Sequence, residues 1–197
     1  MRKLAIFYHV SKMGTWEKVD NEIMGALRES TLLDNADVFV RNECKDTSLF
    51  EFPTLEMLDN FSLTNEAYDV LYLHTKGVTQ DIKSVDDWRA SMIYWNITRW
   101  KECIEKLKEY DAVGINHISS PKKHFQGNFW WSKTEHIRKI GTIREVEFEA
   151  IHDNMTERHK CEFWIIGSVG RAYSPYSHNI NPYLTENPKE NYINKKF

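Results

Sequence analysis

The stretch Tyr68 to Gly77, YDVLYLHTKG, constrains the fold of this chain more than any other. Val70 to Leu73, with Tyr68 before them, form a short apolar run of β-prone residues. His74, Thr75, Lys76 and Gly77 end that run at once. An apolar run closed by a turn signal is the pattern of a buried strand. In open α/β sheets ligands sit in the crevice at the carboxyl ends of the strands. His74 and Lys76 are therefore expected at a rim rather than in a core.

The flanking sequence supplies the layers around that strand. Leu4 to Val10 reads as a first strand that brings Tyr8-His9 to its end. Thr15 is placed to cap a helix from Trp16 to about Arg28, with Trp16, Val19, Ile23 and Leu27 on one face. Asp34 to Asp37 turns into a second strand at Val38 to Val40. A strand, helix, strand succession predicts a βαβ unit with parallel pairing. Thr54 to Leu58 reads as a helical turn or two. Asp86 or Asp87 opens the longest helix, which runs to about Tyr110 with an apolar stripe from Trp88 to Leu107. A strand at Ala112 to Asn116, an apolar run at Gly127 to Trp131 and a short helix at Thr134 to Ile140 follow. Arg144 to Ile151 fits strand or helix equally. From Gly167 the chain fills with Ser, Asn, Pro and Tyr, an irregular tail over the surface. The expectation is one α/β domain over residues 1–197, its core about 3–166 and its tail 167–197. Its central sheet has about six strands, mostly parallel or mixed, flanked by helices.

Composition excludes several classes. A hydrophobic content of 41% suffices for a core, and a net charge of −3 without a basic stripe argues against a nucleic-acid partner. Cys44, Cys103 and Cys161 form no CxxC pair, which indicates neither zinc nor a disulfide framework. Reduced thiols fit a cytoplasmic protein. The apolar run after Met1-Arg2-Lys3 is too short for a signal segment, and no stretch approaches a membrane span. Sequons at Asn60, Asn96 and Asn154 then read as chance matches.

Several motifs carry a family likeness in their order along the chain. HTKG after an apolar strand, DDWR opening a Trp-rich helix, YDAVGIN, HFQGNFWW and CEFWI resemble a family of small GT-A-type glycosyltransferases. That family occurs in bacteria and large DNA viruses, and one member decorates algal-virus capsid glycans. The likeness spans roughly Leu4 to Ile166. It implies a GT-A-like, Rossmann-like domain, a nucleotide-sugar donor (a UDP-sugar), Mn2+ or Mg2+, and transfer to an acceptor hydroxyl in glycan or glycoprotein synthesis. Many such enzymes end the central strand with an Asp-x-Asp metal motif. This chain reads His74-Thr75-Lys76 there, which moves the metal question to Asp86-Asp87.

Each candidate has a plain alternative. Asp86 and Asp87 can hold a cation through carboxylate oxygens or serve as first-turn acids favoured by the helix dipole. Lys76 can meet a diphosphate and His74 a phosphate or metal; the alternative is a pair of solvated strand-end residues. Gly77 beside them suggests a close backbone approach. By the resemblance, Tyr8 and His9 sit where the nucleoside binds, though a core tyrosine is nearly as plausible. Asp37 and Asn42 are ribose candidates not separable from turn residues. Gly127 and Asn128 can admit and hydrogen-bond a sugar. Trp130 and Trp131 point to opposite faces of a strand, so at most one faces a sugar. Glu162, in an apolar CEFWII run, suits a general base, against a salt bridge to Arg158 or Lys160. His124 is the alternative base and Asp153 a third. A metal-assisted, inverting glycosyltransferase is the expected activity. A non-catalytic nucleotide- or carbohydrate-binding module is the alternative, and a Trp-rich interaction protein a second rival.

Overall fold

The computed structural model describes residues 2–43, 47–147, 156–167 and 170–197. Cys44, Asp153, Asn154 and the end of the Arg144 to Ile151 segment lie outside the described residues.

Strand β1 (Lys3–Ser11) is followed by helix α1 (Trp16–Glu29) and strand β2 (Ala36–Glu43), which pairs parallel to β1. This is the expected βαβ unit, with α1 burying Val19, Ile23 and Leu27 against the sheet. Thr15 precedes the helix but makes no side-chain cap bond. Helix α2 (Phe52–Thr64) is longer than the turn or two expected, and begins with Pro53 in its first turn, where a missing N–H costs nothing. Strand β3 (Tyr68–His74) is buried at every position and pairs parallel to β1.

The long helix is broken. Helix α3 (Lys83–Ile93) passes through a π-helical segment (Tyr94–Thr98) into helix α4 (Trp100–Leu107). Strand β4 (Ala112–Gly114), a small hairpin of β5 (His117–Ile118) with β6 (His124–Phe125), strand β7 (Trp130–Lys133) and helix α5 (Thr134–Ile140) come next. Helix α6 (Lys160–Phe163) carries the CEF sequence. The tail returns to the sheet as β8 (Ala172–Tyr173), and its Tyr176 and Tyr192 are buried in the core rather than laid over the surface.

The main sheet has the order β2-β1-β3-β7-β4-β8 and is mixed, since β7 runs antiparallel to both neighbours. Strand parity divides the core in two. Ile6, Tyr8, Leu71, Leu73 and Trp131 face α1, α3 and α4, whereas Ala5, Phe7, Val70, Tyr72 and Trp130 face α2 and α5. Trp130 and Trp131 do point to opposite faces, and both are fully buried, so neither is a sugar platform. No helix among the described residues is long and apolar enough to cross a membrane.

Candidate functional site

The same parity builds the site. His9 and His74 are register partners at the carboxyl ends of β1 and β3, on the face covered by α2. Both are buried, at 3% and 8% exposure. The strand ends are stitched by Thr75, whose N–H donates to the His9 carbonyl at 3.0 Å and whose hydroxyl accepts from the Ser11 N–H at 2.8 Å. Lys76 follows, with its ammonium 4.4 Å from the centre of the Trp88 ring. Such a contact holds a cation in place without neutralising it. Gly77, at φ +80°, packs directly against Val85, whose Cγ1 would lie 2.3 Å from an added Cβ. The close approach is to the protein itself.

A cavity of about 530 Å³ opens at this edge, and its lining includes His9, Glu51, His74, Lys76, Arg158 and Glu162. Glu51, immediately before α2, is its acidic floor. Oε2 accepts from the Tyr72 hydroxyl at 2.8 Å and from Asn128 Nδ2 at 2.6 Å, and Oε1 lies 3.8 Å from His74 Nε2. Asn128 Oδ1 in turn accepts from the Trp130 indole N–H at 2.9 Å. His74 Nε2–H donates to the Gly127 carbonyl at 3.0 Å, and His9 Nδ1 lies 2.9 Å from the Thr54 hydroxyl.

These contacts fix the charges. Burial raises the Glu51 pKa, but His74, His9, the Tyr72 hydroxyl and Lys76 outweigh it and hold the carboxyl below the ordinary glutamate range. Burial also drives His74 below the ordinary histidine range, against the attraction of Glu51. The pair therefore carries one negative charge at neutral pH, on Glu51.

Of the sequence candidates, His9, His74, Lys76 and Glu162 line this one cavity. Gly127 and Asn128 stand behind it. Gly127, at φ +90°, backs onto Met92 and Trp88, and Asn128 is 1% exposed with both ends of its amide engaged by protein. Tyr8 is on the other face of β1, buried in the core with its hydroxyl on Asp20 at 2.8 Å. Two consecutive strand residues cannot reach one face. His124 donates Nδ1–H to the Lys122 carbonyl at 2.8 Å and packs edge-on to Phe163, outside the cavity lining. Asp37 accepts from the Tyr68 hydroxyl at 3.1 Å near the amino ends of the strands. Asn42 is exposed on β2.

Asp86 and Asp87 do not fit a shared metal pair. Asp86 Oδ1 accepts from Arg89 at 2.7 Å and Oδ2 from Lys18 at 2.9 Å. Burial pushes the Asp86 carboxyl up, but Lys18 and Arg89 outweigh it and hold it below the ordinary range. Asp87 Oδ1 is bonded by Lys83 at 2.8 Å, while its buried Oδ2 has no hydrogen-bond partner among the described residues. Among the described residues no three His, Cys, Asp or Glu side chains group closely enough to hold a metal ion. Neither aspartate lines the cavity.

Residues 9–175 match the family described as a domain of unknown function, DUF8361. The chain belongs to the DUF8361 family. No curated protein and no solved structure matches it. The matched span of this DUF8361 chain contains every lining residue named above. A larger groove of about 880 Å³ lies at the opposite, amino-terminal edge of the sheet, floored by Leu4, Trp100, Ile104 and Leu107. Its buried acid, Asp69, is paired with Arg2 at 2.5 Å, and that groove has cations of its own in Lys3, Lys108 and Lys133 but lacks the histidines and glutamates of the smaller cavity. Chemistry favours the smaller one. Glu51 is the residue that sequence reasoning missed: FEFPTL reads as a helix start, and only the fold carries its carboxylate to the strand ends.

Proposed function

We propose that this DUF8361 protein transfers a sugar from a nucleotide-sugar donor, a UDP-sugar, to an acceptor hydroxyl on a glycan or glycoprotein. The observation that carries the reading is the convergence of His9, His74, Lys76 and Glu162 on one cavity at the carboxyl edge of two parallel strands. Departure of a nucleoside diphosphate develops negative charge, and fixed cations placed there lower the barrier most. Lys76, steered by the Trp88 face, supplies that cation, and Arg158 adds a second in the same lining. Glu162 takes the acceptor's proton, and one base without a second nucleophile suits inversion.

The resemblance brings with it a divalent cation, Mn2+ or Mg2+, which would neutralise the leaving diphosphate when bound. The aspartates at the expected position are held by Arg89, Lys18 and Lys83 and do not fit it, so no step here runs through a metal. That engagement favours a second reading, a nucleotide- or carbohydrate-binding module without turnover. All seven tryptophans are buried or half-buried, which leaves little support for a Trp-rich docking protein.

A panel of nucleotide-sugars, assayed for binding and for slow donor hydrolysis with and without Mn2+, separates the readings. The enzyme reading expects UDP-sugar turnover that Glu162→Gln lowers by about 100-fold or more, at donor affinity within about twofold of wild type. Unchanged turnover in that variant removes Glu162 from the mechanism; binding without turnover leaves the module.

A further inference from the structure

We propose that Glu51 is the sugar-reading residue of the cavity, accepting a hydrogen bond from a hydroxyl of the donor's sugar through Oε1. The inference rests on the nucleotide-sugar reading above and deepens it by assigning the two ends of the ligand.

A carboxylate is an acceptor only, so it selects a hydroxyl or ammonium and repels a phosphate. Oε2 is fixed by Tyr72 and Asn128, and Asn128 is itself locked, because its Oδ1 holds the Trp130 N–H. The Glu51 carboxylate therefore cannot swing to suit a ligand. Oε1 is left as its acceptor, and a fifth of the side chain remains exposed in the cavity. His74 adds a second acceptor, since its Nε2–H is donated to Gly127 and its neutral ring leaves Nδ1 with a lone pair. Lys76, two residues beyond His74, is the anion-binding end. A ligand with hydroxyls at one end and a diphosphate at the other matches this polarity; a free anion matches only half of it.

Replacement by glutamine makes the test sharp. Tyr72 and Asn128 both donate at the Oε2 position, so the Gln carbonyl is drawn there and its NH2 takes the place of Oε1. Shape is kept while the group presented to the sugar turns from acceptor to donor. The affinities of UDP, UDP-glucose, UDP-galactose and UDP-N-acetylglucosamine are measured by calorimetry on wild type and Glu51→Gln, with melting temperatures alongside. Wild type is expected to favour one sugar over the others. Glu51→Gln is expected to keep UDP affinity within about twofold and to bind the favoured donor roughly 10- to 100-fold more weakly, the range for a hydrogen bond to a charged group. Unchanged donor affinity in Glu51→Gln overturns the proposal. Equal loss of UDP and donor at an unchanged melting temperature also overturns it, placing Glu51 on the nucleotide. Wild-type binding of UDP with no preference among the sugars removes the sugar subsite alone. Wild-type binding of none of the four removes the nucleotide-sugar reading and this inference with it. Should Glu51→Gln melt well below wild type, Glu51→Asp, which keeps the charge but withdraws it by one methylene, is judged by the same criteria.

Discussion

At the scale of the residue, the site turns on which face of a strand a side chain takes. His9 and His74 were legible because a β-prone run ends at each, and strand ends are where α/β folds place ligands. Tyr8 was grouped with His9 by proximity in sequence, and the period of two sends it to the opposite core. Gly127 and Asn128 read as ligand contacts because glycine and asparagine suit sugars, yet their roles are in packing and in bracing Glu51. An alanine at position 127 meets both φ +90° and a Met92 Sδ that would lie 2.4 Å from its Cβ. Gly127→Ala is expected to lower unfolding free energy by about 2 kcal/mol in chemical denaturation, from backbone strain and overpacking. A variant as stable as wild type would show that this loop repacks freely. Lys76→Met keeps much of the stem over Trp88 and removes the charge; UDP affinity is expected to fall about tenfold, read by calorimetry, with the melting temperature held.

At the scale of the element, what could be read was an amphipathic period and what could not was a long-range ion pair. The apolar stripe from Trp88 to Leu107 correctly marked helix packed on the sheet, but the π-helical segment at Tyr94–Thr98 breaks it. A π segment shifts the register of the buried face, and no single residue type announces it. Helix α2 was under-read because Phe52–Thr64 has apolar residues on several sides, which blurs the helical period. Asp86 looked like a metal ligand because one partner that holds it, Lys18, is distant in sequence, and the other, Arg89 at i+3, is itself anchored by the distant Glu22. Arg89 is 1% exposed and binds Glu22 of α1 at 2.7 Å as well as Asp86. The aspartate thus helps join α1 to α3. Asp86→Asn with Glu22→Gln leaves a buried guanidinium uncompensated, and a loss of about 3 kcal/mol of stability is expected in metal-free buffer. Full stability of that double variant in the absence of divalent ions would argue that the aspartate is not structural.

At the scale of the whole molecule, the mixed sheet of six strands with helices on both faces was legible, since buried strand runs and amphipathic helices follow one another along the chain. The tail was not. Its polar, Pro- and Asn-rich composition hides Tyr176 and Tyr192, which are buried in the core. The fold also holds His74, His117, His136 and His178 below the ordinary histidine range, in each case chiefly by burial. These groups stay neutral in the folded protein while the unfolded chain takes up protons near pH 6.5, so stability is lost as pH falls below that value. Melting temperature is expected to decline between pH 7 and pH 5; a flat profile over that window would contradict the assigned burial. The most direct test of the account is where a nucleotide-sugar sits in crystals of the complex. The account predicts density between Lys76, Glu51 and Glu162 at the carboxyl ends of β1 and β3. Density in the opposite groove, among Arg2, Trp100 and Lys133, would contradict it.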